Sequence, residues 1–343
     1  MSKRTQRVSS SLGYTSEFAE SIYKQIHGFS EYGFPESHAA SFALLGYASC
    51  WIKHHHPAEF LGAMLNSQPL GFYPPSQLVQ DAKRHDVEVH AVDVMLSDVD
   101  CTLEDLPHRP AVRLGLRMIA GLKNESMDRI VAARSERVFD SAEDLARRAE
   151  LEHHEMKLLA GADALMSLSG HRRQQVWDAS ALRSTPELLR EAPFDEDILE
   201  LAPAPEGEEI VFDYASLGLT LRRHPMALLR SKLNERALLT AEQLNAVPNG
   251  RVVRYCGIVT LRQQPETANG TVFISLEDET GVVQVICWKS LRDLQRKELL
   301  RSRLLEVHGT WQREGDVKNL IAGKLEDLTP MLGRLTTESR DFK

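Results

Sequence analysis

The amino-acid pattern changes at Gly250, and this change restricts the folds that the chain can adopt. Before Gly250, apolar residues recur every three or four positions, which is typical of helices; after it, short runs are rich in β-branched residues, which favour strands. The runs cover residues 251–261, 271–276, 282–286, 303–313 and 317–325, with a helical stretch at 290–300 after the third run. The order predicts a multidomain chain, mainly α followed by an all-β barrel.

Five strands with a helix between the third and the fourth form the layout of an OB-fold. OB-folds bind single strands with aromatic side chains that stack on bases and cations that follow the phosphates. The candidates of these types are Arg254, Tyr255, Arg262, Phe273, Trp288, Trp311 and Lys318. About half of the aromatic residues in a barrel of this size must face its core. Since the sequence does not set the strand register, a binding role and a core role stay open for each.

Residues 119–134 predict a helix-hairpin-helix, in which a glycine turn joins two short helices and points backbone N–H groups at a DNA phosphate. Gly121 supplies the turn, Leu122 is its buried apolar residue, and Asn124 or Ser126 caps the second helix. Lys123 stands where a second glycine is usual and can add a phosphate contact. A purely structural helical hairpin is the alternative interpretation.

A second helical pair follows, with glycines at positions 161 and 170. Arg172 and Arg173 follow the second of these after one histidine, near the start of a helix, and are candidate phosphate ligands. A solvated helix face is the alternative. The two pairs together predict a tandem helix-hairpin-helix module.

On either side of this module, several residues mark where helices and strands begin or end. Ser16 and Ser37 are predicted helix caps, Pro57 occupies a first helical position, and residues 87–94 alternate like a short strand. Residues 186–213 contain several prolines, ten acidic residues and a single basic one, which predicts a mostly extended acidic linker before a helical connector.

The charge distribution permits nucleic-acid binding although the net charge is −8. Residues 109–185 hold 13 basic and 11 acidic residues, and residues 250–343 hold 15 and 13, so both predicted DNA-handling modules are mildly basic. The four cysteines lie far apart without a C-x-x-C pair, which favours reduced thiols and a cytoplasmic protein. No secretory signal and no apolar stretch long enough for a bilayer is predicted, so a membrane is not an expected partner.

No catalytic residue and no metal ligand is predicted in this chain. Asp98 and Asp100 form a D-x-D pair of the kind that holds Mg²⁺, but no third carboxylate is placed by pattern, and a solvated turn is the favoured interpretation. The three consecutive histidines at 54–56 point in different directions on a helix and cannot ligate one ion together.

Several sequence blocks resemble the bacterial C-family DNA polymerases, in the order that this family shows. They are GFPESHAAS at residues 33–41, WIK at 51–53, PAEF at 57–60, LNSQPLGFY at 65–73, LGL at 114–116, IAGL at 119–122, GHRR at 170–173, GLTL at 218–221, HP at 224–225 and SRDF at 339–342. The block at 65–73 resembles the error-prone, damage-inducible branch more than the main replicative subunit, which is DNA polymerase III alpha. The resemblance covers nearly the whole chain.

The resemblance implies a helical remnant of the polymerase fingers at residues 1–108 and a helix-hairpin-helix module at 109–185. An acidic linker and helical connector follow at 186–249, then an OB-fold at 250–330 and a tail at 331–343. The implied function is that of a DNA-binding region of a translesion polymerase, which holds single-stranded and primed-template DNA without sequence preference.

The resemblance also implies accessory mutagenesis proteins as partners and, indirectly, the sliding clamp. In the much longer family members, the catalytic carboxylates and their Mg²⁺ lie upstream of the matching residues. The chain is therefore expected to be inactive alone and to need no cofactor of its own. A protein-interaction platform, in which the OB-fold and the acidic linker dock accessory proteins with little DNA contact, is the alternative function.

Overall fold

In a computed structural model, the chain is described over residues 36–71, 73–181, 200–315, 317–335 and 340–342, with single positions at 21, 24 and 337. The helices are α1 (Glu36–His55), α2 (Pro57–Asn66), α3 (Pro75–Arg84), α4 (Asn124–Glu136), α5 (Ala142–Arg148), α6 (His153–Gly161), α7 (Met166–Ser169), α8 (Arg172–Ala181), α9 (Glu206–Leu217), α10 (Pro225–Glu235), α11 (Ala241–Asn245), α12 (Lys289–Leu294) and α13 (Arg296–Arg301). The strands are β1 (Val89–His90), β2 (Thr102–Glu104), β3 (Ala111–Arg113), β4 (Val252–Gln263), β5 (Val272–Glu277), β6 (Val282–Cys287), β7 (Leu304–Glu314), β8 (Val317–Asp327) and β9 (Arg340–Phe342).

The chain divides near residue 57 into two compact units, residues 1–57 and 58–343. In the first unit, α1 begins at Glu36, so the prediction that Ser37 caps this helix is wrong. The predicted cap at Ser16 lies outside the described residues. Pro57 begins α2 as predicted, because its missing N–H costs nothing at a helix start. No helix of the described residues is long and apolar enough to cross a membrane.

The helical part of the second unit has one continuous core. A small sheet in the order β1–β3–β2 packs with α2 to α8, and its buried side chains include Leu65, Leu114, Ile130 and Met156. The predicted strand at 87–94 is shorter than expected, since only Val89–His90 pairs with β3. Further along the predicted strand, the N–H of Val94 donates to the carbonyl of Ala164 and not to β3.

The prediction of a mostly extended acidic linker is wrong for its second half. Residues 206–217 form α9, whose first turn carries Glu206, Glu208 and Glu209, where the positive end of the helix dipole favours acidic side chains. The segment predicted as a helical connector contains α9 to α11. The first half of the predicted linker, residues 186–199, lies outside the described residues.

The connector packs directly on the barrel. Its buried side chains Ile210, Met226 and Leu233 share a core with Cys256 and Ile258, which belong to the outer face of β4. Tyr255 and Val259, which alternate with them, face the barrel interior. β4 is therefore buried on both faces: one face lines the barrel interior, and the connector packs against the other.

The barrel is a closed OB-fold. The strands run in the order β5–β6–β8–β7–β4, and β4 also pairs with β5, which closes the sheet. α12 and α13 lie between the third and the fourth strand, so the predicted strand order and helix position are confirmed. β9 of the predicted tail adds a parallel strand beside residues 261–263 of β4.

One glycine fixes how closely β7 and β8 approach. The register between the two strands shifts between His308 and Gly309. A Cβ atom built on Gly309 would lie 2.2 Å from the carbonyl oxygen of Ile321, far inside contact distance. Any side chain here would push the two strands apart.

Candidate nucleic-acid interface

Two exposed aromatic side chains mark an open pocket at one end of the barrel. Phe273 of β5 is 36% exposed and Trp288, which follows β6, is 52% exposed. The pocket has a volume of about 510 Å³. It is lined by Thr267, Ala268, Asn269, Thr271, Phe273, Trp288, Lys289 and Ser290. Large aromatic faces left in water beside a cation are the arrangement that single-strand binding by stacking requires.

One wall of the pocket is the loop between β4 and β5, and a half-buried arginine holds it in place. Asn269 and Gly270 both adopt the left-handed backbone conformation, with φ values of 49° and 79°. The guanidinium of Arg292 in α12 donates to the carbonyl of Gly270 at 3.0 Å. A Cβ on Gly270 would come within 2.9 Å of that same guanidinium. The loop and α12 are therefore joined, and the pocket between them is preformed.

The sheet surface beside Phe273 continues the site across three strands. Gln263 of β4 and Ile286 of β6 are the cross-strand neighbours of Phe273 and share its face. Further along, the Ser275 hydroxyl donates to the Gln284 side-chain oxygen at 3.1 Å. This half-buried strip offers apolar and amide groups but no charge.

Three residues predicted as binding candidates are buried, and the structure corrects their roles. Trp311 is 2% exposed and Tyr255 is fully buried, and both belong to the barrel core. Arg262 is 5% exposed, and its guanidinium donates to the carbonyl of Leu299 at 2.7 Å and to that of Ser302. None of the three presents a ring face or a charge to a strand on the surface.

Arg254 lies in a group of charged side chains that form ion pairs with one another. Its guanidinium donates to Glu306 at 2.7 Å, and Arg236 donates to both Glu306 and Glu326. Ligand atoms of Glu306, His308 and Glu326 lie within 4.8 Å of one another, a spacing compatible with a metal ion. Because two guanidinium groups already occupy the carboxylates, the group is a set of ion pairs. Although burial opposes ionisation of Glu306, hydrogen bonds from Arg254 and His308 leave its pKa lowered.

The glycine turn of the first predicted hairpin has the expected backbone. Gly121 has a φ of 82°, in the left-handed region that favours glycine, and Leu122 is buried beneath it. The prediction that Asn124 or Ser126 caps the second helix is wrong. Lys123 occupies the cap position, Asn124 is the first helical residue, and the Ser126 hydroxyl is buried inside, where it donates to Glu155.

The start of α4 leaves backbone donors available to a ligand. Within the described part of the chain, the N–H groups of Gly121, Lys123 and Asn124 make no hydrogen bond. The Lys123 side chain is exposed next to them, while the exposed Glu125 in the first turn offsets part of its positive potential. Unsatisfied N–H groups at a helix start form a ready anion site.

The prediction that Arg172 is a phosphate ligand is wrong, because this side chain is only 2% exposed. Its guanidinium donates to Glu209 at 2.6 Å and to Asp213 of α9. Arg222 completes the cluster by reaching Asp163 at 2.9 Å and Glu209 at 3.1 Å. Burial raises the pKa of Glu209, and the two arginines oppose this effect. Arg172 therefore joins α8 to the connector.

Two other predicted cations lie at the surface with partners inside the chain. Arg173 donates to Glu208 at 3.0 Å, and its side chain is 43% exposed. Lys318 donates to the side chain of Asn245 at 2.8 Å. Both can reach a phosphate only by exchanging a present contact, and their binding roles stay predictions.

Sequence reasoning did not identify three elements of the pocket: Lys289, Ser290 and the loop at 267–271. The loop carries a signal that a search for turns would find, because Asn269-Gly270 is the dipeptide that left-handed turns favour. Lys289 carries a weaker signal, as a cation directly after an aromatic residue at the end of a strand.

Two protein families match parts of the chain. Residues 86–175 match a helix-hairpin-helix motif, which begins upstream of the boundary predicted at residue 109, and residues 253–328 match an OB-fold nucleic acid binding domain. The helix-hairpin-helix and OB-fold assignments from the sequence are thus confirmed. Both families point to nucleic-acid binding.

A comparison over nearly the whole of this chain shows which proteins it is similar to. The chain is 53% identical over 337 residues to the error-prone DNA polymerase of Burkholderia pseudomallei (strain K96243), with 96% of this chain and 31% of the relative covered. It is 51% identical to that of Bordetella parapertussis, covering 32% of it, and 48% identical to that of Methylococcus capsulatus, covering 33% of it. By sequence, the chain matches the carboxy-terminal part of the error-prone DNA polymerases.

The chain spans about a third of the length of these error-prone polymerases. Among solved structures, the replication protein A heterotrimer bound to ssDNA aligns with 26% of this chain at 17% identity and a TM-score of 0.21. A likeness of that size carries no argument about function.

Proposed function

We propose that the chain binds single-stranded nucleic acid at the pocket between Phe273 and Trp288 and holds duplex DNA at the Gly121 hairpin. In this role it handles the template of an error-prone polymerase that copies past lesions. The observation that carries the proposal is the exposure of both aromatic rings beside Lys289 on a preformed pocket.

Stacking explains why such a site reads no sequence. Every base has a π-face, and stacking on an aromatic side chain contributes about 1–3 kcal/mol per base whichever base it is. Asn269 and Ser290 add polar groups at the pocket wall, but they are too few to read the edges of successive bases. A polymerase that copies damaged template benefits from this indifference.

The helix-hairpin-helix contributes in a different way. Backbone N–H groups at the start of α4, with Lys123 beside them, suit one phosphate of a duplex and carry no information about its bases. The two modules therefore complement each other, one for unpaired template and one for duplex.

We further propose that accessory mutagenesis proteins and, indirectly, the sliding clamp act with this region in a cytoplasmic polymerase. Nucleotidyl transfer and its Mg²⁺ belong, in this proposal, to the part of the longer relatives that this chain does not span. Docking of partners on the acidic segment has little support from its described residues. Glu206 pairs with Arg223 and Glu208 with Arg173, so these charges are compensated within the chain.

Removing either pocket ring is the direct test of the single-strand site. Phe273→Ala and Trp288→Ala are each expected to weaken binding to a labelled oligo-dT roughly tenfold in fluorescence anisotropy, since one stacked base is lost. Trp177→Ala is the matched control, because Trp177 of α8 is 50% exposed and lies outside the barrel. Equal affinities for all three variants and the unmodified chain would exclude the pocket as the binding site.

The hairpin is tested with duplex DNA. Lys123→Ala is expected to lower the slope of log K against log salt for a blunt duplex by about 0.9, the value for one phosphate contact. The control is Lys232→Ala, which removes an exposed cation from α10. A duplex slope that stays the same in both variants would argue against a phosphate contact at Lys123.

A further inference from the structure

The helical insert between β6 and β7 is a basic segment of the barrel. Residues 289–301 contain five basic side chains and two acidic ones in a chain whose net charge is −8. Of the two acidic residues, Asp293 is already engaged by Arg292 at 2.8 Å. The remaining cations are Lys289, Arg296, Lys297 and Arg301.

The packing of the insert turns these cations outwards. Leu291 and Leu299 are buried against the barrel, and the Gln295 side chain both donates to and accepts from the backbone of Leu325 at 2.8 Å. These three contacts fix which side of α12 and α13 faces β8. The opposite side is exposed and carries the cations.

The cations of α13 are free to contact a ligand, because no acidic side chain of the described residues pairs with them. Within the described part of the chain, Arg296, Lys297 and Arg301 form no ion pair closer than 4 Å, and all three are exposed. Lys297 interacts with Asp327 only through space, where it helps to lower the pKa of that carboxyl. Arg172, Arg222 and many other arginines of this chain are instead bound to carboxylates.

The insert is continuous with the aromatic pocket. Trp288 and Lys289, which line the pocket, are the cap and the first residue of α12. Arg292, one turn further on, holds the Gly270 carbonyl of the opposite pocket wall. From the pocket, the chain therefore runs directly into α12 and then α13.

We propose that the exposed face of α12 and α13 is the track for the phosphate backbone of the single strand whose bases stack on Phe273 and Trp288. The inference rests on the proposed function, because it extends the same site. The six residues of α13 span about 8 Å along the helix axis. Long arginine and lysine side chains on that length can neutralise two or three successive phosphates.

Exposed Leu294 and Leu300 lie on the same insert, at 81% and 48% exposure, and an acidic protein would also find apolar contacts there. Continuity with a stacking pocket favours nucleic acid, since phosphates must lie near any base that stacks. The salt dependence of binding separates the two occupants, because release of counterions from a nucleic acid gives a slope that counts phosphate contacts.

The test compares three multiple variants in oligo-dT binding by anisotropy over a salt series. Replacing Arg296, Lys297 and Arg301 together with alanine is expected to reduce the slope of log K against log salt by about 2, at roughly 0.7 for each phosphate of a single strand. The double variant of Phe273 and Trp288 should instead lower affinity equally at all salt concentrations, with an unchanged slope.

The control removes the same charge elsewhere. Lys232, Arg251 and Arg313 are exposed, the first on α10 and the other two at the end of β4 and β7 remote from the pocket. Replacing these three with alanine should leave the slope close to that of the unmodified chain. All three positions in α13 are exposed, so thermal unfolding should be nearly unchanged in the test variant.

Each outcome has one meaning. A reduced slope in the α13 variant alone supports the track. Equal slopes in the α13 variant and the control overturn the track. If the double variant of Phe273 and Trp288 still weakens binding in that case, the proposed function stands, and the insert is assigned to an acidic protein partner. No oligo-dT binding by the unmodified chain overturns the proposed function together with the track.

Discussion

Replacing Arg172 with alanine is expected to lower the free energy of unfolding of the second unit by about 3–5 kcal/mol, the range for removing one partner of a buried ion pair. The substitution leaves Glu209 and Asp213 buried without the guanidinium that they share. Arg222 still contacts both carboxylates and Asp163, so the site would keep one cation for three acidic groups. The urea midpoint followed by circular dichroism measures the loss.

Arg173→Ala is the matched control, because the neighbouring side chain is exposed and its pair with Glu208 is a surface contact worth at most about 1 kcal/mol. If Arg172 were a phosphate ligand, its replacement would weaken DNA binding and leave stability nearly unchanged. A small stability loss that equals that of the control would contradict the structural role assigned here to Arg172.

Acidification is expected to destabilise the protein through His224. This side chain is 9% exposed and caps α10 by accepting the N–H of Met226 at its Nδ1. Burial lowers its pKa to about 4; nearby Glu279 opposes the shift, and Arg84 and Arg230 add to it. Between pH 6.5 and about 4 the unfolded chain therefore binds a proton that the folded chain does not. Stability is lost as the pH falls through this window, by about 3 kcal/mol in total.

His224→Asn isolates this contribution. Asparagine is among the best helix caps and does not titrate, so the variant keeps the cap and removes the proton. Urea unfolding at pH 7 and pH 4 should show a smaller loss in the variant than in the unmodified chain. Parallel pH profiles for the two proteins would mean that His224 is protonated alike in the folded and unfolded states.

The barrel could be predicted from the sequence because its information is local. β-branched runs and a helical interval give the order of the strands, and the observed strand ends differ from the predicted ones by at most two residues. The same holds for the hairpin at Gly121, since only a residue tolerant of positive φ fits its turn.

The side chains that face outwards could not be predicted, because they depend on register and on distant partners. Trp311 and Phe273 are both aromatic, yet the alternation of side chains along a strand places Trp311 in the core and Phe273 at the surface. Arg172 finds its carboxylates 37 and 41 residues further along the chain, in a segment whose composition favours an extended linker. A pairing at that separation leaves no periodic signal in the sequence.

Binding of the unmodified chain to labelled oligo-dT and to a primed template, measured by anisotropy from about 50 to 200 mM salt, tests the central claim most directly. We predict binding to both ligands, with log K falling linearly against log salt and little change when the base sequence of the strand is altered. No binding to the single strand at 50 mM salt would contradict the claim that this region holds the template.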